Sequence, residues 1–358
     1  MKGIQQNWLW RAGLVGLCFG FFSGQAGQVE RRVFGETESG RTVHLFRLTN
    51  DRGLSVELIE FGATIKSLHV PDQHGTTKNV VAGAEALDSY LRGFPAASVI
   101  GRFANRIAGA SYPLDGVQKT VTANAGKNHI HGGRRGFAKV IWTGEVAKLD
   151  DGSVGVRFSY HSKDGEEGFP GDLAVDVTYS LSEENRLRIH YQAEGTKPTP
   201  INLTNHAYFN LAESGGFRDH VLWLDARFYT PADRQLIPTG EIASVEGSPL
   251  DFTQPLAIGA RIGEIPKPPG TYDHNYVLNK PDGELAQIAK VVEPVSGRVM
   301  DVFTTEPGVQ LYTGNPRGFC LETQHYPDSP NKPHFPSTIL RPGKKFESIT
   351  DFRFSVVK

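Results

Sequence analysis

The chain has 358 residues, 39% of them hydrophobic, enough for a substantial core in one large or two ordinary domains. Its 38 basic and 39 acidic residues leave a net charge of −1 with no long single-sign block, which argues against nucleic acid or an anionic surface as the main partner. Forty glycines and 22 prolines are spread along the whole length, as expected for short strands joined by tight turns, and no internal repeat stands out.

In chain order, the first two dozen residues stand apart. Lys2 and Arg11 precede an uncharged run from Ala12 to Phe22, and Gly24 and Ala26 occupy the minus-three and minus-one positions of a cleavage site. Residues 1–26 therefore read as a secretory signal peptide, and an exported protein, periplasmic or secreted, is expected if the leader is functional. The run is about half the roughly 20 residues that a bilayer span needs. Leu17 is bulky where a lipoprotein signal places a small residue before Cys18. With the leader removed Cys320 is the one remaining cysteine, so no intramolecular disulfide is expected.

Beyond the leader, strand periodicity dominates. Leu54 to Phe61 alternates, and Glu85 to Leu91 is the one short helix candidate. Val154, Val156, Phe158 and Tyr160 then alternate with polar or small residues, as do Leu173, Val175, Val177, Tyr179 and Leu181, and again Leu187, Ile189 and Tyr191. Each reads as a half-buried antiparallel strand, and Phe352 to Val356 closes the chain with another. Without long amphipathic helices between the strands a doubly wound α/β fold is excluded, and an all-β sandwich is predicted.

The segment Ile201 to Leu211 reads as a strand with opposed faces. Ile201, Leu203, Ala207, Phe209 and Leu211 lie on one side, and Asn202, Thr204, His206, Tyr208 and Asn210 on the other. Amides, a hydroxyl, an aromatic ring and an imidazole suit a cleft for a neutral polyhydroxylated ligand better than open water. His206 is the candidate proton-transfer group, although a lone histidine is commonly a hydrogen-bonded structural residue. Asn202 opens an N-x-T sequon that is expected to be unmodified, because a glycan there would obstruct the cleft. His129 and His131, two apart in NHIHGG, share a predicted strand face, but no acidic or cysteine ligand accompanies them, so no metal is expected.

Four more segments carry polar residues within apolar runs: Asn105 and Arg106 in GRFANRI, Asp273 in TYDHNYVL, Gln310 in VQLYTGN and Glu322 in FCLETQHYPDSPN. Glu322 follows Cys320 and Leu321, where desolvation would raise its pKa. Such a glutamate is either half of a structural ion pair or a general base. No Gly-rich nucleotide loop, nucleophile elbow, H-E-x-x-H or C-x-x-C is present, so no cofactor is expected.

GRFANRI, HIHGG, TNHAYFNL, YDHN, VQLYTGN and CLETQHYPDSPN, in this order, resemble the aldose 1-epimerase, or galactose mutarotase, family from about residue 30 to the C-terminus. Ile130 stands where that family commonly has leucine. The resemblance implies a single large antiparallel β-supersandwich over residues 30–358, with His206 as general acid and Glu322 as general base. It also implies sugar-binding roles for Asn105, Arg106, His131, Tyr208, Asp273 and Gln310. The expected reaction is anomer interconversion of free aldohexoses such as D-glucose and D-galactose. The expected partner is a small aldose, with no nucleic acid, no membrane span after leader removal, and a monomer or weak homodimer in solution. For that chemistry at neutral pH, His206 must be protonated while Glu322 is ionised. A sugar-binding or regulatory sandwich without turnover, and an epimerase of phosphorylated hexoses, are the alternatives.

Overall fold

The computed structural model describes residues 27–357 apart from Pro95 and Glu213, and the predicted leader lies outside the described residues. Antiparallel strands form three large sheets. The first is a five-stranded meander of Gln28–Glu36, Thr42–Thr49, Ser55–Ile59, Thr64–Pro71 and Thr77–Asn79. The second has nine strands, in the spatial order Thr143–Lys148, Val154–Ser162, Leu173–Leu181, Arg186–Gly195, Lys345–Val356, Arg298–Thr304, Ala286–Val292, Val221–Leu224 and Leu256–Ala257. The third has five strands, in the order Ala243–Ser244, Phe228–Tyr229, Asp273–Val277, Gly308–Asn315 and Gly318–Gln324.

The three predicted central strands fall in the nine-stranded sheet with their alternation intact. Val177 faces Tyr191 across the ladder, Tyr179 faces Ile189 and Leu181 faces Leu187, and all six side chains are buried. They join one core with Phe46, Leu48 and Leu58 of the first sheet and Val309, Leu311 and Leu321 of the third. Full burial of each such aliphatic side chain stabilises the fold by about 1.5–3 kcal/mol. The Tyr179 hydroxyl, carried into this core, donates to the carbonyl of Ala63 (2.7 Å) and accepts from the Asn205 amide (3.1 Å). Leu87–Leu91 is helical, as predicted, and buries Leu87 and Tyr90.

The segment Ile201 to Leu211 departs from its predicted form. Only Thr204–Asn205 forms a regular ladder, with Val99–Ile100, while Asn202 bridges Phe103 and Phe209 bridges both Val81 and Phe319. From Asn202 to Tyr208 its polar side is buried like its apolar side, and Asn202 and Thr204 have no exposed surface. The Asn202 amide donates to the carbonyls of Ala104 (3.3 Å) and His325 (3.1 Å), and its oxygen accepts from the His325 N–H (2.9 Å). Asn202 thereby ties GRFANRI to the end of the Glu322 strand, and its amide nitrogen is occupied twice in the folded protein. Replacing Asn202 by Ala leaves these buried groups unpaired and is expected to cost about 2–4 kcal/mol, read as a lower urea midpoint at unchanged m value.

Candidate active site

The third sheet builds the floor of the site by strand alternation. Along Gly308–Asn315, Val309 and Leu311 enter the core, so Gln310 and Tyr312 take the opposite face. Along Gly318–Gln324, Leu321 enters the core and Cys320, Glu322 and Gln324 share the polar face. Register places Gln310 between Asn275 and Glu322, and Tyr312 between Asp273 and Cys320.

Three other segments are folded over this floor. Phe209 and Phe319 exchange backbone hydrogen bonds of 2.8 and 3.0 Å, and the His206 N–H donates to the carbonyl of Ser98 (3.1 Å), which together hold His206 above the polar face. GRFANRI is held by Asp328 of the PDSPN run: its backbone N–H donates to the Arg106 carbonyl (2.8 Å) and its carboxylate accepts from Ala108 (2.9 Å). The HIHGG turn brings in His131. Gly132 has a φ of +78°, and a Cβ there would lie 1.7 Å from the Gly101 carbonyl oxygen, so only glycine lets the chain pass so close to GRFANRI.

His131 is not on a shared strand face with His129. The strand ends at Ile130 and His131 takes a φ of +50°, which turns its ring into the cleft. His129 is fully buried, with Nδ1 2.8 Å from the Thr122 carbonyl oxygen and its ring edge-to-face against Phe169. The predicted histidine pair thus separates into a site residue and a core residue.

The remaining predicted residues converge. His206 Nε2 lies 3.6 Å from Glu322 Oε1, and the rings of His131 and His206 are 5.3 Å apart. The Asn105 N–H donates to His131 Nδ1 (3.2 Å), and the Asn105 side-chain oxygen accepts from Arg106 (3.4 Å). Asp273 accepts from the Gln310 amide (2.6 Å) and has Arg106 4.0 Å from its other oxygen. Tyr208 packs its ring 4.9 Å from that of His206. Thr204, Asn202 and Asn210, on the same predicted face as His206, are not part of this cluster; Asn210 caps its own loop through Gly215 and Ala212.

Burial sets the electrostatics. It pushes the Glu322 carboxyl well above the ordinary carboxylate range, Asp273 pushes in the same direction, and Arg106 opposes. It lowers His206 to about 4, and it lowers His131 well below the usual histidine value with help from His206 and Arg106. Asp273 is also raised by burial, against the pull of Arg106 and Gln310. Burial therefore favours a protonated Glu322 carboxyl and a neutral His206 ring. This inverts the protonation expected from the sequence, because both groups lose their water. Glu322 Oε2 and Gln310 Oε1 are buried and have no hydrogen-bond partner among the described residues.

His131, His206 and Glu322 offer donor atoms within 4.8 Å of one another, a spacing that would admit a cation. The N–H that His131 Nδ1 accepts from Asn105 leaves the hydrogen of the neutral ring on Nε2, so the free nitrogen is a donor rather than a ligand.

Two contributors escaped the sequence reading. Tyr312, inside a quoted motif, lies with its ring 6.0 Å from His206, and strand alternation with Gln310 was the available signal. Phe94 had none. It follows the helix on an irregular loop, its ring 5.1 Å from His206 and 5.8 Å from His131, yet 44% exposed.

An antiparallel β-supersandwich that gathers a buried carboxyl and an imidazole among polar side chains has the parts of an acid/base enzyme. The family model for aldose 1-epimerase matches residues 44–353, and the chain belongs to the aldose 1-epimerase family. It is 44% identical to galactose mutarotase of Bos taurus over 348 residues, 92% of this chain and 99% of that one. It is 35% identical to aldose 1-epimerase of Escherichia coli K12 over 339 residues, 88% and 96% of the two chains. Among solved structures, a GalM/aldose epimerase homologue from C. elegans superposes with a TM-score of 0.79 at 29% identity, covering 88% of this chain and 99% of that one. The Phe94 ring, exposed beside His206 and His131, has the apolar surface against which a pyranose bound there would pack. Phe94→Ala is expected to raise KM roughly twofold to tenfold with little change in kcat, and Phe94→Tyr to restore it, in steady-state mutarotation kinetics.

Proposed function

We propose that this protein is a mutarotase that interconverts the α and β anomers of free aldohexoses such as D-glucose and D-galactose. The observation that carries the reading is the buried Glu322–His206 pair at 3.6 Å, flanked by the polar groups of Arg106, Asp273 and Gln310. A pyranose is a cyclic hemiacetal. Removing the C1 hydroxyl proton and protonating the ring oxygen breaks the C1–O bond and frees the aldehyde; rotation about C1–C2 and closure on the other face yields the second anomer. Glu322 takes the hydroxyl proton, His206 supplies the ring-oxygen proton, and the two exchange roles on closure.

Sugar binding prepares the pair. Hydroxyls donating to Glu322 favour its carboxylate, and a ring oxygen accepting from His206 favours the protonated imidazole, so a bound sugar opposes the shifts that burial imposes on the pair. His131, whose free ring nitrogen carries hydrogen, stabilises negative charge developing on oxygen. Asp273 accepts from sugar hydroxyls while Gln310 and Arg106 hold it in place. General acid and general base catalysis each contribute about 10² to 10⁴ in rate, sufficient for a reaction already measurable in water.

The test is polarimetric relaxation of freshly dissolved α-D-galactose and α-D-glucose. Glu322→Gln and His206→Asn are each expected to lower kcat by about 10² to 10⁴ while the proteins remain folded. Folded wild-type protein that binds sugar without acceleration would make it a binding protein, and strong preference for hexose phosphates would make it a phosphosugar epimerase. Arg106, the basic residue of this cluster, faces Asp273, which gives phosphate no site of its own.

The pH profile has a defined sign. Catalysis needs one proton on the pair, so kcat/KM falls as pH drops through about 4, where His206 takes a second proton, and falls again as pH rises through the raised value of Glu322. An acid limb near the ordinary histidine range would overturn this ordering.

Export is proposed with the activity, on Lys2, Arg11, the uncharged run from Ala12 to Phe22 and the small residues Gly24 and Ala26. The mature protein is expected to begin at Gly27 by intact-mass measurement; soluble cytoplasmic protein retaining Met1 would exclude it.

A further inference from the structure

His206 is buried and has a different neighbour at each ring nitrogen. Nε2 lies 3.6 Å from Glu322 Oε1, whereas Nδ1 lies 3.4 Å from Cys320 Sγ. Cys320 and Glu322 are two apart on Gly318–Gln324, so strand alternation delivers both to the same imidazole. Cys320 has no exposed surface, and burial, reinforced by Glu322 and Asp273, holds its thiol well above the ordinary range and hence protonated.

We propose that Cys320 is a positioning residue for the acid: its S–H donates to Nδ1 of His206, which leaves the ring hydrogen on Nε2, facing Glu322 and the sugar. This rests on the mutarotase reading. In a neutral imidazole one nitrogen donates and the other accepts, so the partner of Nδ1 selects the tautomer presented at Nε2. The thiol also withholds something. When His206 takes up a proton both ring nitrogens become donors; the sulfur beside Nδ1 is a weak acceptor, and burial outweighs the backbone hydrogen bond that favours the imidazolium. A carboxylate at that position would stabilise the imidazolium, as in a Ser-His-Asp triad, and make it a poorer acid toward the weakly basic ring oxygen.

The other groups facing the imidazole do not substitute for this contact. From its own segment comes Tyr208, from the neighbouring strand Tyr312, from the HIHGG turn His131, and from the loop after the helix Phe94, with ring centroids 4.9, 6.0, 5.3 and 5.1 Å away. Burial favours the neutral forms of His131 and both phenols, so Glu322 is the remaining titratable side chain beside the ring.

The experiment compares the full-length protein with its Cys320→Ser, Cys320→Ala and Cys320→Asp variants by ¹⁵N NMR of the His206 ring without substrate and by the pH profile of galactose mutarotation. Wild type and Cys320→Ser are expected to hold the Nε2–H tautomer. Cys320→Ala is expected to mix tautomers and lower kcat about threefold to tenfold at unchanged KM. Cys320→Asp is expected to move the acid limb of kcat/KM upward by about a unit or more. Unchanged ¹⁵N shifts and an unchanged pH profile in Cys320→Ala would overturn the proposal, and this variant decides it even if the aspartate variant does not fold. The tautomer is read without turnover, so a protein inactive on sugars would refute the mutarotase reading and leave the Cys320–His206 contact separately judged.

Discussion

Two-residue alternation along Gly308–Asn315 and Gly318–Gln324 is the constraint on which the remainder of the molecule depends. Val309, Leu311 and Leu321 point into the core, and this obliges Gln310, Tyr312, Cys320 and Glu322 to point the other way. A one-residue slip of either strand would bury the amide and carboxyl in the apolar core and turn the aliphatic side chains into the cleft. The same packing that stabilises the sandwich thus sets the positions of Gln310, Cys320 and Glu322, and the nine-stranded sheet supplies apolar surface that makes the register costly to change.

Dehydration is the second consequence. Glu322 is 2% exposed and His206 5%, so neither reaches enough water to keep its charge cheaply. The carboxyl rises and the imidazole falls, and the proposed acid/base cycle starts from these two shifts. Arg106, Asp273 and Gln310 form a polar chain beside the pair, with Asp273 held from both sides. This leaves Asp273 oriented toward hydroxyls while its charge is offset, which suits a neutral ligand better than an anionic one.

The site also depends on joints with no regular secondary structure. Asn202 links GRFANRI to His325, Asp328 links it to PDSPN, and Phe209 pairs with Phe319 to hold His206 over the floor. These joints explain why so many polar residues of the motifs are buried without touching the cleft. Asn202 and Asp328 satisfy backbone groups of irregular chain that sheet ladders leave unpaired, an obligation of any buried loop.

Much of the fold was legible because it follows from local pattern. Leu173, Val175, Val177, Tyr179 and Leu181 announce a strand in any context, since each side chain's face depends only on its parity. The motif order pointed to His206, Glu322 and their six companions, and the folded chain brings these together. Parity failed where the strand was not regular. The segment from Ile201 to Leu211 reads as two-faced, yet tertiary neighbours cover both faces; His129 and His131 have matching parity, yet the left-handed turn at His131 separates them. Phe94 and the Cys320–His206 contact join residues far apart in sequence, and the protonation of the pair depends on how much water the assembled walls exclude. By itself, then, the sequence determined the regular strands, because these follow from period, and its resemblance to a known family implied the site residues. Only the tertiary structure decided which polar groups face the ligand, which serve buried backbone and where the proton rests, because each depends on what the rest of the chain places around them.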